Sequence, residues 1–518
     1  MNSDYSLNPH VLSRYLHKEP KYFTKEDIIR YVRENDIEMI NFRYPGADGR
    51  LKTLNFIINS LEHLDNILTC GERVDGSSLF PYIEAGSSDL YVLPRYRTAF
   101  LNPFSDIPAV DILCSFYTKD GKPLEMSPEY TMRKAHEALR QVTGLEYEVM
   151  GELEYYVVTD TEPLYGTPDQ RGYHESTPFC KGQELRTLAM KYIASTGGLI
   201  KYGHSEVGNF TLDARSFEQN EIEFLPTRME DAADQLMIAK WILRTLAHEY
   251  GVDLTFAPKI TVGKAGSGMH IHTRLTRDGK NVLVENGKLT DTALKAIAGY
   301  LDLAPSLTAF GNTNPSSYFR LVPHQEAPTN ICWGDRNRSV LVRVPLGWTS
   351  GAANMLQDAN PRELVEERDY SNKQTVEFRC PDGSADVYLL IAGLAVAARH
   401  GFEMENALQY ARDRYVDVNI FDDANKAVAD RLSHLPASCH ESALCLEQQR
   451  GVYEEYDVFA PGLIDGVIAM LRKYNDANLR EQLKNEEVGM EELVERYYYC
   501  GGSDRCCDLV IADLVILD

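Results

Sequence analysis

Positive charge is scarce in this chain: 77 aspartates and glutamates stand against 53 lysines and arginines, a formal net charge of −24. Nucleic acid and anionic membrane surfaces are therefore not expected partners. Long apolar runs are missing too. The longest, Val387 to Ala398, is too short to span a bilayer and predicts a buried helix. The opening segment MNSDYSLNPHVLSRYLHKEP has no apolar core of the kind a secretory leader carries, and the expected location is the cytoplasm. The 10 cysteines are scattered through strand-like or helical stretches; Cys500, Cys506 and Cys507 cluster in the tail without the CxxC spacing of a zinc site. A chain this long can bury a core without disulfide staples, so none is expected. No internal repeat and no low-complexity linker divides it. At 518 residues, 44% hydrophobic and 25% charged, it has the make-up of an ordinary globular protein of two or three domains.

What the chain does have is ionisable residues in pairs two apart. The stretch GELEYYVVT, from Gly151, reads as a strand, and in a strand alternate side chains share a face, so Glu152 and Glu154 stand side by side. An isolated ELE is also what a half-exposed strand with its acids in water would show, and Glu146 and Glu148 upstream fit that bland alternative. The spacing recurs, however, in Glu221 and Glu223, His270 and His272, Arg336 and Arg338, and Glu377 with Arg379. Gathered on the inner face of one curved sheet, such pairs would suit divalent cations and a polyanion.

Along the chain, residues 1–22 read as a loosely held arm. Thr24 caps a helix whose stripe is Ile28, Ile29 and Val32, and strand, turn and strand follow from Ile37 to Ile58, giving a small α+β unit over 23–113. Within it, Asp75 to Ser78 spells DGSS, a segment that caps its own turn well. Helices are predicted over Ser127 to Gln141, 183–197 and Met229 to Tyr250, with a loop over 160–182. Arg320, Arg336, Arg338 and Arg343 fall within thirty residues, three of them on expected short strands, and read as an anion clamp. The remainder to Tyr499 is expected to be an outer helical layer, and 500–518 a tail.

Taken in order, VDGSS, GELEYY, HSE (His204 to Glu206), QNEIEF, TFAPK, GSGMHIH, RLVP with QEAP, RNRS and VEFRCPD resemble the glutamine synthetase family, in its type I arrangement, from about Phe23 to Tyr499. The resemblance implies an α+β protein with a β-grasp-like N-terminal domain over 23–113. A catalytic domain like that of glutamine synthetases and guanido kinases, with a curved antiparallel sheet, would occupy 114–499. It implies a homo-oligomer of stacked hexameric rings with sites between subunits. It implies two or more Mg²⁺ or Mn²⁺ ions, one on Glu154, Glu206 and Glu221 and one on Glu152, His270 and Glu377, with ATP as co-substrate. His272 and Arg343 would contact ATP, and Arg338 and Arg379 the transferring phosphoryl group. Arg320 would grip the α-carboxylate of glutamate, beside Gly266 and Glu154. Asp75 and Ser78 of an adjacent subunit would bind ammonium, Asp75 as general base, and Glu326 would sit on a flap that excludes water. The implied reaction joins ammonia, or another amine, to glutamate through an acyl phosphate.

The chain departs from the family pattern at several places. Ala265 replaces an Asn beside the glutamate site, Arg274 a small residue, and Lys201 an acid near the nucleotide. Glu206 and Glu221 are farther apart than usual, as are Arg343 and Glu377, and Lys373, near the end of the second insertion, is the candidate to stand in for the family's lysine in this region. Phe421 stands where some members carry an adenylylated Tyr. These differences keep open a γ-glutamyl-amine ligase using a larger amine such as a polyamine. A catalytically silent assembly protein would normally lack metal ligands, and none is missing.

Overall fold

The computed structural model describes residues 5–80, 83, 88–162, 164–212, 214–322, 327–347, 352–364, 369–485, 489 and 497. The N-terminal part is a six-stranded sheet in the order Leu51–Ile57, Met39–Pro45, Ala109–Tyr117, Asp89–Pro94, Glu72–Asp75, with Phe100–Leu101 beside Ala109–Tyr117. Helix Lys25–Glu34 packs on it. The Thr24 hydroxyl accepts from the Asp27 amide while the Asp27 carboxylate accepts from the Thr24 amide, so the expected cap is a reciprocal capping box.

Residues 1–22 are not a loose arm throughout. Helix Val11–Leu16, capped by the buried His10, places Leu12 and Leu16 in the same core as Ile28 and Val32. Their four-residue spacing supplies the apolar stripe.

The larger part is built on a ten-stranded sheet whose main path runs Trp333–Asp335, Val342–Val344, Val376–Phe378, Met269–Arg277, Glu146–Asp160, Arg215–Phe224, Ile200–Leu212. Strand Glu146–Asp160 explains its two faces by parity. Tyr147, Val149, Leu153 and Tyr155 enter the main core, and Gly151 lies so close to Leu236 that an added Cβ would come within 2.8 Å of it. The even-numbered acids point the other way. Helices form at Pro128–Thr143, Gln183–Ser195 and Met229–Tyr250, close to the predicted spans. The apolar run from Val387 is a buried helix, Val387–Glu403, and no single helix among the described residues is long and apolar enough to cross a membrane.

That helix meets Asp291–Gly311 backbone to backbone. A Cβ on Gly299 would lie 1.8 Å from the Ala397 carbonyl oxygen, and one on Gly401 1.9 Å from that of Lys295. Neither neighbour is a side chain that can swing away. Gly299→Ala should therefore destabilise the fold by about 1–3 kcal/mol, measured by urea unfolding, where a surface glycine change would leave the midpoint unmoved.

The two sheets are joined through Asp234 on helix Met229–Tyr250. Its carboxylate accepts from Arg95 at 2.8 and 2.9 Å, from Arg97 at 3.0 Å and from the Tyr388 hydroxyl at 2.8 Å. Arg43 lies over the Trp241 ring at 4.5 Å.

Candidate active site

Strand register decides which side chains meet. Glu152 lies opposite His270 on one side and Glu223 on the other, and Glu154 opposite Glu221. His272 and Arg343 both lie opposite Glu377, and His204 lies opposite Glu221. These residues line one cavity of about 290 Å³, together with Glu206, Gly266, Arg320, Arg338 and Arg379.

His270 Nδ1 is 2.9 Å from Glu152 and 3.4 Å from Glu377, and His272 Nε2 is 2.7 Å from Glu152. Glu377 also accepts from Arg343 at 2.9 Å and from Arg379 Nε at 3.0 Å. Glu154 accepts from the Gly268 amide at 2.8 Å and the Gln219 amide at 2.9 Å. Arg320 is anchored by the Cys380 carbonyl at 2.8 Å, with its other end 3.2 Å from His270 Nε2. Arg338 is exposed, and among the described residues its guanidinium makes no hydrogen bond.

The electrostatics follow from burying several acids together. Burial would raise the Glu152 carboxyl, but His272 and His270 hold it well below the ordinary range. Glu221 has no such help: burial and the charges of Glu152, Glu154, Glu206 and Glu223 push it well above. Burial alone would lower His272, and Glu152 raises it instead. Burial and the charge of Glu152 would raise Glu377, and Arg379 with the two histidines brings it down.

The donor set fits divalent cations. Carboxylate oxygens and an imidazole are the ligands that hard Mg²⁺ and Mn²⁺ accept, and Glu221 is a buried carboxyl with no hydrogen bond among the described residues, whose ionised form a cation would favour. Two groups bring ligand atoms within 4.8 Å of one another: Glu152, His270 and Glu377, as expected, and His204, Glu221 and Glu223. The expected set Glu154, Glu206 and Glu221 lines the same cavity without closing to that distance.

Other expected residues fall elsewhere. Asp75 ends strand Glu72–Asp75 of the N-terminal sheet and Ser78 lies in the helical turn Gly76–Ser78 that follows, and neither lines the cavity; Asp75 accepts from the Ser77 and Ser78 hydroxyls at 2.7 Å, which hold its carboxyl far below its ordinary value. An acid held that low takes up a proton poorly. Of the four clustered arginines only Arg343 is on a strand. Arg320 ends helix Pro315–Arg320, and Arg336, at φ 57°, turns into an adjoining cavity of about 790 Å³. Glu326 and the tail 500–518 lie outside the described residues.

Cavity residues outside the expected ligand set include Tyr173, Tyr202, His204, Gln219 and Glu223. Glu223 carried a signal, its two-residue spacing from Glu221. Tyr173 lies in an irregular loop and carried none.

A β-grasp-like sheet is joined to a larger sheet on which carboxylates, imidazoles and arginines converge in one cavity, a donor set suited to cations and anionic groups. Residues 125–490 match the glutamine synthetase catalytic domain, and 36–119 the glutamine synthetase beta-Grasp domain. The glutamine synthetase of Thermococcus kodakarensis is 31% identical over 88% of this chain and 94% of its own. Among solved structures, Plasmodium falciparum glutamine synthetase aligns with a TM-score of 0.71 at 19% identity, covering 92% of this chain and 99% of its own. Apo GmaS aligns at 0.69 and 18%, covering 89% and 98%. The chain belongs to the glutamine synthetase family.

Proposed function

We propose that this protein is an ATP-dependent ligase that makes glutamine from glutamate and ammonia through γ-glutamyl phosphate. The observation that carries it is the convergence of Glu152, Glu154, Glu206, Glu221, His270 and Glu377 in one cavity with Arg320, Arg338, Arg343 and Arg379.

A free carboxylate resists attack by an amine. Its γ-oxygen must first take the terminal phosphoryl group of ATP, with ADP leaving, and the amine then attacks the acyl carbon as phosphate leaves. Bound Mg²⁺ or Mn²⁺ would supply neutralisation of the phosphates and polarisation of the transferring group. Arg320, held by the Cys380 carbonyl, would fix the α-carboxylate of glutamate near Gly266. Arg343 and His272 would orient the nucleotide. Arg379, braced on Glu377, and the free Arg338 would take up charge on the phosphoryl oxygens. Asp75 and Ser78 would reach this cavity only from a neighbouring subunit, which makes a ring-forming homo-oligomer part of the proposal. With its oxygens occupied by hydroxyls, Asp75 suits holding ammonium better than taking its proton. A flap bearing Glu326 and a cytoplasmic location complete this reading.

A second reading, a γ-glutamyl-amine ligase, is favoured by Ala265, whose small side chain lines the cavity where the family resemblance implies Asn. One experiment decides between them. With Mg·ATP and glutamate, phosphate release and product mass are followed over ammonium and a panel of amines. Ammonium should support turnover; release only with a larger amine would establish the second reading, and none with any acceptor would refute both.

A further inference from the structure

We infer that Gln170 is a positioning residue for glutamate: it anchors the turn from Lys264 to Gly268, which walls the cavity beside Arg320. Glutamate is the substrate on the ligase reading, and the role of Gln170 rests on that reading; the anchoring contacts do not.

The turn holds Arg320 closely. A Cβ on Gly266 would lie 2.4 Å from the Pro258 carbonyl oxygen and 2.9 Å from Arg320 Cγ, so the backbone passes against Arg320 with no room for a side chain. Where the turn sits therefore decides where Arg320 can meet a carboxylate. Ala265 gives the turn no polar side chain of its own, although the family resemblance implies Asn there. Its backbone is bound from outside instead. The Ala265 carbonyl accepts from the Tyr156 hydroxyl at 2.8 Å and the Gly266 carbonyl from the Gln219 amide at 3.0 Å. The Gly268 amide donates to Glu154 at 2.8 Å. All three partners lie on strands of the large sheet. The Ala265 amide donates to Gln170 Oε1 at 2.7 Å, and Gln170 comes from the loop between strand Glu146–Asp160 and helix Gln183–Ser195.

That loop is itself fixed. Ile200–Leu212 is the last strand on the main path of the sheet, and its outer edge needs a partner. The loop runs antiparallel along it: the main-chain amide of Gln170 donates to the Asn209 carbonyl at 2.9 Å, that of Gly172 to Val207 at 3.2 Å and that of His174 to Ser205 at 2.9 Å. The Gln170 side-chain amide donates to the same Asn209 carbonyl at 3.1 Å, which leaves Oε1 as the end that faces Ala265. Gln170 has φ 55°, a left-handed backbone that a residue with a side chain keeps only where its surroundings hold it.

Asp169 also reaches the turn, pairing with Lys264. The two side chains are 57% and 29% exposed, and a screened surface pair contributes little. The Ala265 amide is half-buried and has no other acceptor among the described residues, so the larger effect belongs to Gln170. Tyr173, three residues on, lines the cavity, but the bonds of Gly172 and His174 hold its segment separately. Loss of the Gln170 contact is therefore confined to the turn.

The test is steady-state phosphate release by the full chain with the acceptor that supports turnover, glutamate and Mg·ATP being varied in turn. Gln170→Met keeps the length of the side chain and loses the acceptor, while the Asn209 carbonyl keeps its main-chain bond. It should raise KM for glutamate about tenfold and leave kcat and KM for ATP within about twofold of the parent. Asp169→Asn should move the glutamate KM by less than about threefold. Amide hydrogen exchange in peptides spanning Ala265 should be slow in the parent and faster in Gln170→Met, with the urea midpoint unmoved. A glutamate KM equal to the parent's would overturn the inference, as would a loss of stability in which kcat and both KM values shift together. If the parent releases no phosphate with any amine, calorimetric titration with L-glutamate, in Mg²⁺ and a non-hydrolysable ATP analogue, takes the place of KM. Binding about tenfold weaker in Gln170→Met would then support the positioning role while the ligase reading fails. Equal binding by the two, or none by the parent, would overturn the role as well.

Discussion

Glu221→Gln should lower turnover by about 10³-fold or more and yet make the metal-free protein more stable. The two effects have one cause. Glu221 is 5% exposed, crowded by four other carboxylates, and receives no hydrogen bond among the described residues, so without a cation it is driven to hold its proton, and ionising it costs stability. Gln keeps the shape and cannot ionise, so at a pH where the parent carboxyl is forced to ionise about 1–3 kcal/mol of that cost is removed. With the cation present the sign reverses: the parent gains stability from binding and the variant gains less. Urea unfolding with chelator and with Mn²⁺, beside a phosphate-release assay, checks both halves. A variant less stable than the parent in chelator would mean that Glu221 is satisfied by something other than a cation. Such a site trades stability for function.

Asp234→Ala should be the most damaging single change to the fold, at about 3–5 kcal/mol. Asp234 is 4% exposed and accepts from Arg95, Arg97 and Tyr388, so truncation leaves a buried Arg95 facing Glu129 at 3.8 Å as its nearest remaining counter-charge. The loss falls on the joint between the two sheets. Limited proteolysis should therefore release an N-terminal fragment from the variant before the rest of the chain is cut. Asp234→Asn, which keeps two of the contacts, should lose less. Equal stability of Asp234→Ala and the parent would show that helix packing alone holds the joint.

Much of the site was legible because strand alternation is local. Glu152 and Glu154, and His270 and His272, could be placed on one face from their spacing, and both pairs line the cavity. Register is not local. Nothing in the spacing of His204 shows that it lies across from Glu221, because that depends on where the neighbouring strand slips. Arg336 failed for a related reason. It matches Arg338 in spacing, but its left-handed backbone at φ 57° breaks the alternation and sends it to the next cavity. The N-terminal arm was misread because its polar residues outnumber the two leucines that bury it. Tyr173 reaches the cavity from a loop, where no periodicity exists to read.

Crystals grown with Mn²⁺, measured at the manganese absorption edge, test the cavity directly. Two anomalous peaks per chain are expected, one within bonding distance of Glu152, His270 and Glu377 and one at Glu221. Peaks confined to the protein surface, or an empty cavity at saturating Mn²⁺, would contradict the assignment of these side chains as metal ligands.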